Sequence, residues 1–343
     1  MKVVEVQGSP REIGRSTGEA LREEIRAHMA LLPEEVRQEA WAPRLPAFLD
    51  TLRREVPEVL EEMEAMAEGA DVPFEHIAAL NLPKPASLRV EEGCTNVAFA
   101  SGPDGPVWGK NNDGGRPDMQ RPICCRIVRP AHGIPQVVFP FCGFVAVNDG
   151  MNAEGVAVGH SSVGSVFEQS EHHVPIRLWY YHCMMHARTT GDFVRLMDSR
   201  PLQGKGYSMV CVDRHGTACS IEAACPVIQV GRPNNKHGHV NCTNYYKLPQ
   251  LAHADRRSPE GKCNAIARRE LLDRMLDEGT DTSLEGMKAI LRHHRTDTSP
   301  AICRHMGPDD GATHYSMIGL PESGRVLFYH GRPCEGDFET VSL

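Results

Sequence analysis

The residue of this chain best suited to attack a carbonyl is Cys94, in Gly93-Cys94-Thr95. A cysteine is by default a small buried hydrophobe, so its surroundings must single it out. Cys94 stands where helical composition gives way to short β-type runs, directly after a charged loop, Arg89 to Glu92. A dense polar cluster, Gly109-Lys110-Asn111-Asn112-Asp113, follows at the end of a nearby β-type run. Other candidates lack a part. His182 and His186 share a helix face at the spacing of a zinc pair, but His182-Cys183-Met184-Met185-His186 has no glutamate to act as base. Tyr180, Tyr181, Met184 and Met185 read as core or pocket lining, and His172-His173 and His293-His294 as loop and helix-end residues. Ser9 and Ser161-Ser162 lack a nucleophile elbow, and no glycine-rich phosphate loop is present. There is no Cys-x-x-Cys pair and no closed Cys/His set with zinc spacing, so neither a metal nor any other cofactor is expected.

The elements that must position these residues follow from periodicity and punctuation. Val3 to Val6 reads as a strand. Gly8-Ser9-Pro10 then opens a helix, with Ser9 as N-cap and Pro10 at its first position. Ile13, Thr17, Ala20, Leu21 and Ile25 recur at helical spacing, which predicts a helix over 10–29. Helices are also predicted over 34–42, 46–68 and 73–80, before Pro83 and Pro85 break the pattern. After Cys94 the texture is β-type: 96–100, 107–110, 123–128 and 136–139, with 144–147 and 155–158 flanking a turn at Asn148-Asp149-Gly150-Met151-Asn152. A helix runs from Pro175 to about Ala187. Strands at 208–213 and 218–222 surround Arg214-His215-Gly216, and helices cover 260–277 and 283–293. Strands at 317–320 and 326–329 close the chain about Glu322-Ser323-Gly324. Strands and helices in separate runs indicate α+β layers rather than a parallel βαβ series.

Bulk properties exclude several classes. With 343 residues, 41% of them hydrophobic and 24% charged, the chain can bury a substantial core. A net charge of -8 argues against nucleic acid or an anionic membrane as partner. No apolar run reaches transmembrane length. The opening Met1-Lys2-Val3-Val4-Glu5-Val6 lacks the apolar core of a signal peptide, which places the protein in the cytoplasm and leads us to expect most of its twelve cysteines in the reduced state. Cys124 and Cys125, as strand neighbours, should face opposite ways.

Nearly the whole chain resembles the acyl-coenzyme A:6-aminopenicillanic acid acyltransferase family, also called the C45 peptidases. Gly8-Ser9-Pro10-Arg11-Glu12-Ile13-Gly14-Arg15 with Gly18-Glu19-Ala20-Leu21 is similar to that family's opening helix, and Gly93-Cys94-Thr95 to its processing site. Gly109-Lys110-Asn111-Asn112-Asp113 resembles its Gly-Gln-Asn-Trp-Asp segment, departing from it at Lys110 and Asn112. Gly150-Met151-Asn152 with Gly155, Cys242-Thr243-Asn244-Tyr245, Ile302-Cys303-Arg304-His305 and Pro333-Cys334-Glu335-Gly336 are similar to further family segments, with Tyr245 where the family has histidine.

The resemblance implies a four-layer αββα N-terminal-nucleophile hydrolase fold. It also implies a precursor that cuts itself between Gly93 and Cys94, giving a mostly helical 1–93 segment and a catalytic 94–343 segment that stay associated as one composite domain. The freed α-amine of Cys94 would be its general base, its reference pKa of about 7.7–8.0 suiting neutral pH. Asp113 would hold that amine, Asn244 would donate to the oxyanion, Arg304 would pair with Asp113 or orient the cluster, and Asn111 would support them. The expected activity is cleavage or transfer of an acyl group at a linear amide bond in a small acyl-amide or peptide substrate, through a cysteine thioester. The alternatives are an acyl-coenzyme A-dependent N-acyltransferase, and an unprocessed binding scaffold on the same fold. A homo-oligomer is compatible with either.

Overall fold

The computed structural model describes residues 1–32, 42–83, 93–116, 118–147, 149–233, 237–297, 299–306 and 311–343. Ser9 caps the first helix, α1 (Pro10–Ala20), through a reciprocal box. The Ser9 N–H donates to Glu12 Oε2 at 2.7 Å, and the Glu12 N–H to Ser9 Oγ at 3.3 Å. The predicted 10–29 helix is two. Leu21, at φ −115° and ψ 19°, separates α1 from α2 (Arg22–Leu31), and the turn keeps Leu21, Ile25 and Met29 all buried. The predicted 46–68 helix also divides, into α3 (Leu45–Glu55) and α4 (Pro57–Ala70), because Pro57 has no N–H to donate and drives Val56 out of the helical region, to φ −147° and ψ 59°. The predicted 34–42 helix lies outside the described residues except for Ala42, which opens a short 3-10 turn. α5 (Phe74–Asn81) ends the helical opening. α1 and α4 approach closely. A Cβ at Gly14 would stand 2.2 Å from the Glu62 carbonyl oxygen, so only glycine fits there.

Two sheets follow from the β-type runs. The eight-stranded sheet has the order β1 (Lys2–Gly8), β4 (Cys124–Pro130), β5 (Gln136–Val138), β6 (Gly150–Asn152), β7 (Ala157–Ser162), β10 (Tyr207–Val212), β11 (Ala218–Ala223), β12 (Ile228–Gly231). β1 pairs with β4 in parallel, and the other neighbours are antiparallel. The six-stranded sheet has the order β13 (Val240–Cys242), β2 (Thr95–Phe99), β3 (Val107–Gly114), β14 (Ala312–Leu320), β15 (Arg325–His330), β16 (Glu339–Ser342). A small parallel pair, β8 (Val174–Pro175) and β9 (Leu202–Gln203), lies apart from both. The remaining helices are α6 (Ile176–His186), α7 (Thr190–Met197), α8 (Cys263–Asp277) and α9 (Leu284–Leu291). None of the described helices is long and apolar enough to cross a membrane.

Alternation along the strands sorts the core into three slabs. Val128, Val158, Met209 and Cys211 pack outward on Ile13, Val59, Met63 and Tyr181 of the helices. Ile127, Val210 and Val212 pack inward on Ala98, Trp108, Met317 and Phe328 of the second sheet. That sheet's outer face, with Val97, Phe99 and Ile318, meets Leu272, Met287 and Ile290 of α8 and α9. The order is therefore helices, sheet, sheet, helices: the αββα sandwich expected. Cys124 and Cys125 fall in different slabs, as strand neighbours should.

Three local expectations are corrected. Residues 144–147 form no strand, because side chains meet their backbone instead. Asn81 Oδ1 accepts from the Val145 N–H at 2.8 Å, and Arg126 Nη1 donates to the Val145 carbonyl at 2.6 Å. The hairpin turn lies one step later than 148–152, since Gly150–Asn152 is itself β6. Asn152 Oδ1 accepts from the Val156 N–H at 3.0 Å, and Gly155 takes φ +77°. The strand from Val107 continues past Lys110 to Gly114, because β14 supplies ladder partners on its other side.

The first helical layer is tied to its sheet by a buried ion pair. Arg126 Nη2 lies 2.6 Å from Glu62 Oε1, while the Tyr181 hydroxyl donates to Glu62 Oε2 at 3.0 Å. Burial pushes the Glu62 carboxyl up, and the neighbouring guanidinium opposes that push. Removing one partner leaves a buried charge uncompensated. Arg126→Met should therefore cost about 3–5 kcal/mol, read as a lowered urea midpoint. A cost below about 1 kcal/mol would show that water or another group replaces the guanidinium.

Candidate active site

Cys94 immediately precedes β2 and is 1% exposed. Its main chain is held on both sides. Its N–H donates to Asn244 Oδ1 at 2.7 Å. Its carbonyl accepts from Arg268 Nη1 at 2.6 Å and from Ser161 Oγ at 3.3 Å. Arg268 Nη1 also donates to Thr95 Oγ1 at 2.7 Å, and Nη2 to Asn244 Oδ1 at 3.1 Å. Asn244 follows β13, the neighbour of β2, and spends one N–H of its Nδ2 on the Ser162 carbonyl at 2.9 Å. Arg268 is fully enclosed. Burial lowers its pKa to about 10, opposed first by the charge of Asp113.

Gly93 meets a second set. The β2–β3 ladder pairs Thr95 with Asn111, and the same register continued by two residues sets Gly93 opposite Asp113. Asp113 Oδ1 accepts from the Thr313 hydroxyl at 2.7 Å. Among the described residues its Oδ2 has no hydrogen-bond partner, and it lies 3.9 Å from Arg304 Nη1. Burial raises the Asp113 carboxyl above the usual range, and Arg304 and Arg268 pull it back. A Cβ at position 93 would stand 2.0 Å from Arg304 Nη1 and 3.6 Å from Asp113 Oδ2, so glycine is what lets the guanidinium and the carboxylate close on this bond.

Asn111 is held by other segments. Its Nδ2 donates to the carbonyls of Leu291 and Ile302 at 2.8 and 3.0 Å, and its Oδ1 accepts from the Ser316 hydroxyl. It braces β3 against the end of α9 and the segment carrying Arg304. The structure thus gathers Cys94, Gly93, Asp113, Asn244 and Arg304, with Asn111 as a brace. Sequence reasoning missed Arg268. The signal was available: Ala265, Arg268, Leu272 and Leu276 form one buried helical stripe, and a charge on such a stripe needs a partner. His182 and His186 stay with α6, where His182 Nδ1 lies 2.5 Å from Glu58 Oε1.

Lys110, the departure from the family segment, is buried with Asp149 and His160. Lys110 Nζ donates to Asp149 Oδ2 at 2.6 Å, and His160 Nδ1 lies 2.8 Å from Asp149 Oδ1. His160 Nδ1 also lies 3.2 Å from Lys110 Nζ. The neighbouring Ser161 and Ser162 are the residues that contact Cys94 and Asn244. A cleft of about 630 Å³ opens at Arg304, the one residue of the site that lines it, together with Asn264 and Ala267 of α8 and with Pro300 and Gly311.

Neither a protein-family model nor a curated protein matches the chain. Solved structures do. The chain is similar to a mutant conjugated bile acid hydrolase from Clostridium perfringens, at 12% identity and a TM-score of 0.47, over 73% of this chain and 97% of that one. It is similar to penicillin V acylase from Agrobacterium tumefaciens, at 12% identity and 0.47, over 73% and 86%. It is also similar to a Caenorhabditis elegans ortholog of N-acylethanolamine-hydrolyzing acid amidase, at 12% identity and 0.46, over 67% and 93%. The likeness is one of fold.

The buried triad carries a pH signature. Burial lowers the His160 pKa from 6.5 to about 4, with the Asp149 charge opposing. Between those values the unfolded chain binds a proton that the folded chain does not, so stability is lost as pH falls from about 6.5 toward 4. Asp149, lowered to about 2 because His160 and Lys110 outweigh its burial, adds a loss only below about pH 4. Urea unfolding from pH 7 to pH 4 should be flatter for His160→Gln than for the parent. Parallel curves would remove His160 as the source.

Proposed function

We propose that this chain is a cysteine amidohydrolase of the N-terminal-nucleophile type, similar to the C45 peptidases and activated by cutting itself between Gly93 and Cys94. The observation that carries this reading is the grip on the main-chain nitrogen of Cys94. An enzyme that used only the thiol would have no need to hold that nitrogen with Asn244 Oδ1 at 2.7 Å, nor to leave a buried oxygen of Asp113 without a hydrogen bond beside the preceding residue. Both features suit an α-ammonium that forms when the peptide bond is cut.

The chemistry balances without outside reagents. The Cys94 thiol adds to the Gly93 carbonyl. The intermediate collapses with loss of the Cys94 nitrogen, giving a Gly93 thioester and a free amine, and water hydrolyses the thioester to a Gly93 carboxylate. In turnover the amine takes the thiol proton and sulfur attacks a substrate amide. The leaving amine departs protonated, and water cleaves the acyl-thioester. Asp113 steadies the ammonium. The unspent N–H of Asn244 and the guanidinium of Arg268 supply positive potential where the oxyanion develops. Arg304 stands ready for the new Gly93 carboxylate. Cys94 is 1% exposed in the continuous chain, and Arg304, which packs on Gly93, lines the cleft, so the cut would also open a way from the cleft toward the thiol. The 1–93 segment stays bound because β1 is a strand of the large sheet and α1 and α4 are part of its core.

Two measurements test the reading. Intact mass of freshly purified protein should give two associated fragments, residues 1–93 and 94–343. Cys94→Ala should remain one chain and turn over no amide. An active parent that persists as a single chain sinks the proposal. The second separates the roles on the cleaved fraction alone. Asn244→Ala should lower kcat by about 10²–10³ with KM nearly unchanged. Asp113→Asn should move the acid limb of the pH–rate profile to lower pH, since losing a carboxylate lowers the pKa of a neighbouring ammonium. An unmoved profile, or a parental kcat in Asn244→Ala, returns that residue to a structural role.

A further inference from the structure

Two cysteines and two histidines from three separate segments meet at the cleft, whose wall includes His294, Cys303 and His305. His294 follows α9, Cys303 and His305 precede β14, and Cys334 follows β15. Their ligating atoms all lie within 4.8 Å of one another. Cys303 Sγ is 3.5 Å from Cys334 Sγ and 3.8 Å from His305 Nε2, and Cys334 Sγ is 3.3 Å from His305 Nε2. The rings of His294 and His305 stand 5.0 Å apart at 83°. Zinc bonds of about 2.3 Å to sulfur and about 2.0–2.1 Å to nitrogen give tetrahedral edges of about 3.3–3.8 Å. These three separations fall within that range.

We propose that His294, Cys303, His305 and Cys334 form a Cys2His2 site for one zinc ion. Two thiolates neutralise its charge, and two imidazoles complete a closed tetrahedron. With no open position, the ion would be structural and take no part in the amide chemistry. The backbone already holds the ligand segments together. The Cys303 N–H donates to the His293 carbonyl at 2.8 Å. Arg292 clamps the turn that carries Cys334, donating from Nε to the Pro333 carbonyl at 2.8 Å and from Nη2 to the Gly336 carbonyl at 3.0 Å. A disulfide is the competing chemistry for the two thiols. It needs the sulfurs to close to about 2.05 Å and gives the two imidazoles nothing to do.

The site also has a structural consequence for the cluster at Gly93. Arg304 lies between two of the ligands, and its backbone exchanges hydrogen bonds with Thr313, whose hydroxyl donates to Asp113. An ion on Cys303 and His305 would pin both flanks of the guanidinium that packs on Gly93. The sequence conceals the set because its members spread from 294 to 334 with no zinc-type spacing.

The test uses full-length protein purified under reductant. Elemental analysis after dialysis should find one zinc per chain. Chelator-stripped protein should take up cobalt(II) with a thiolate-to-cobalt charge-transfer band and tetrahedral d–d absorption. His294→Ala, at an exposed position, and Cys334→Ser should each lose bound zinc while keeping the parental circular dichroism. Cys263→Ser, an exposed thiol on the same cleft, and Cys94→Ala should each keep a full equivalent, so the result is independent of the nucleophile assignment. The proposal is overturned if the reduced parent binds neither ion, if both ligand variants keep a full equivalent, or if Cys303 and Cys334 form a disulfide under reductant.

Discussion

A guanidinium sealed inside a protein must find acceptors, and the arrangement around Cys94 depends on how Arg268 finds them. Stripping such a group of water is costly unless its donors are met. Its partners are the Cys94 carbonyl, the Thr95 hydroxyl, Asn244 Oδ1 and Asn264 Oδ1. These come from the start of β2, the segment after β13 and the preceding turn of α8. Satisfying one charge therefore docks the outer helix on the sheet, fixes where β2 begins, and orients the amide of Asn244. With Arg268 on its oxygen side, that amide can only turn its Oδ1 toward Cys94 and its Nδ2 toward Ser162.

The two sides of the Gly93–Cys94 bond are thus held by different parts of the fold. Arg268, Asn244 and Ser161 hold the cysteine, while Arg304 and Asp113 crowd the glycine. Asp113 and Asn111 share one face of β3 and have separate tasks, one beside the bond and one tying the strand to α9. Cutting the bond would leave both sets in place, because neither relies on chain continuity from 93 to 94. The first helical layer keeps its own anchor in Arg126 and Glu62.

What could be read from the residues was what periodicity and punctuation encode. The β-type runs about Arg214-His215-Gly216 and Glu322-Ser323-Gly324 fold as hairpins, because turn residues and alternating apolar residues agree there. Boundaries went astray where a tertiary partner decided. Asn81 and Arg126 occupy the backbone of Val145 and prevent a strand, and β14 lengthens β3. Within the site, Cys94, Asp113, Asn244 and Arg304 were legible through a resemblance carried by short motifs. Arg268 was not, because arginine on a helix reads as surface until its stripe is compared with its neighbours. β12, β13 and β16 were missed because they are three or four residues long and flank no hairpin signal.

The segment around Arg304 shows how one short stretch can face two neighbouring clusters. Cys303 Sγ and His305 Nε2 meet 3.8 Å apart on one side of the chain, while the side chain between them reaches the other way, to Gly93 and Asp113. A force that fixes the pair must fix the third, since Thr313 bonds both the N–H and the carbonyl of Arg304 and leaves its backbone no freedom to rotate independently. Arg304 is a long side chain that would lose substantial rotamer entropy on being held at a peptide bond. Anchoring its neighbours would let the fold meet much of that cost in advance.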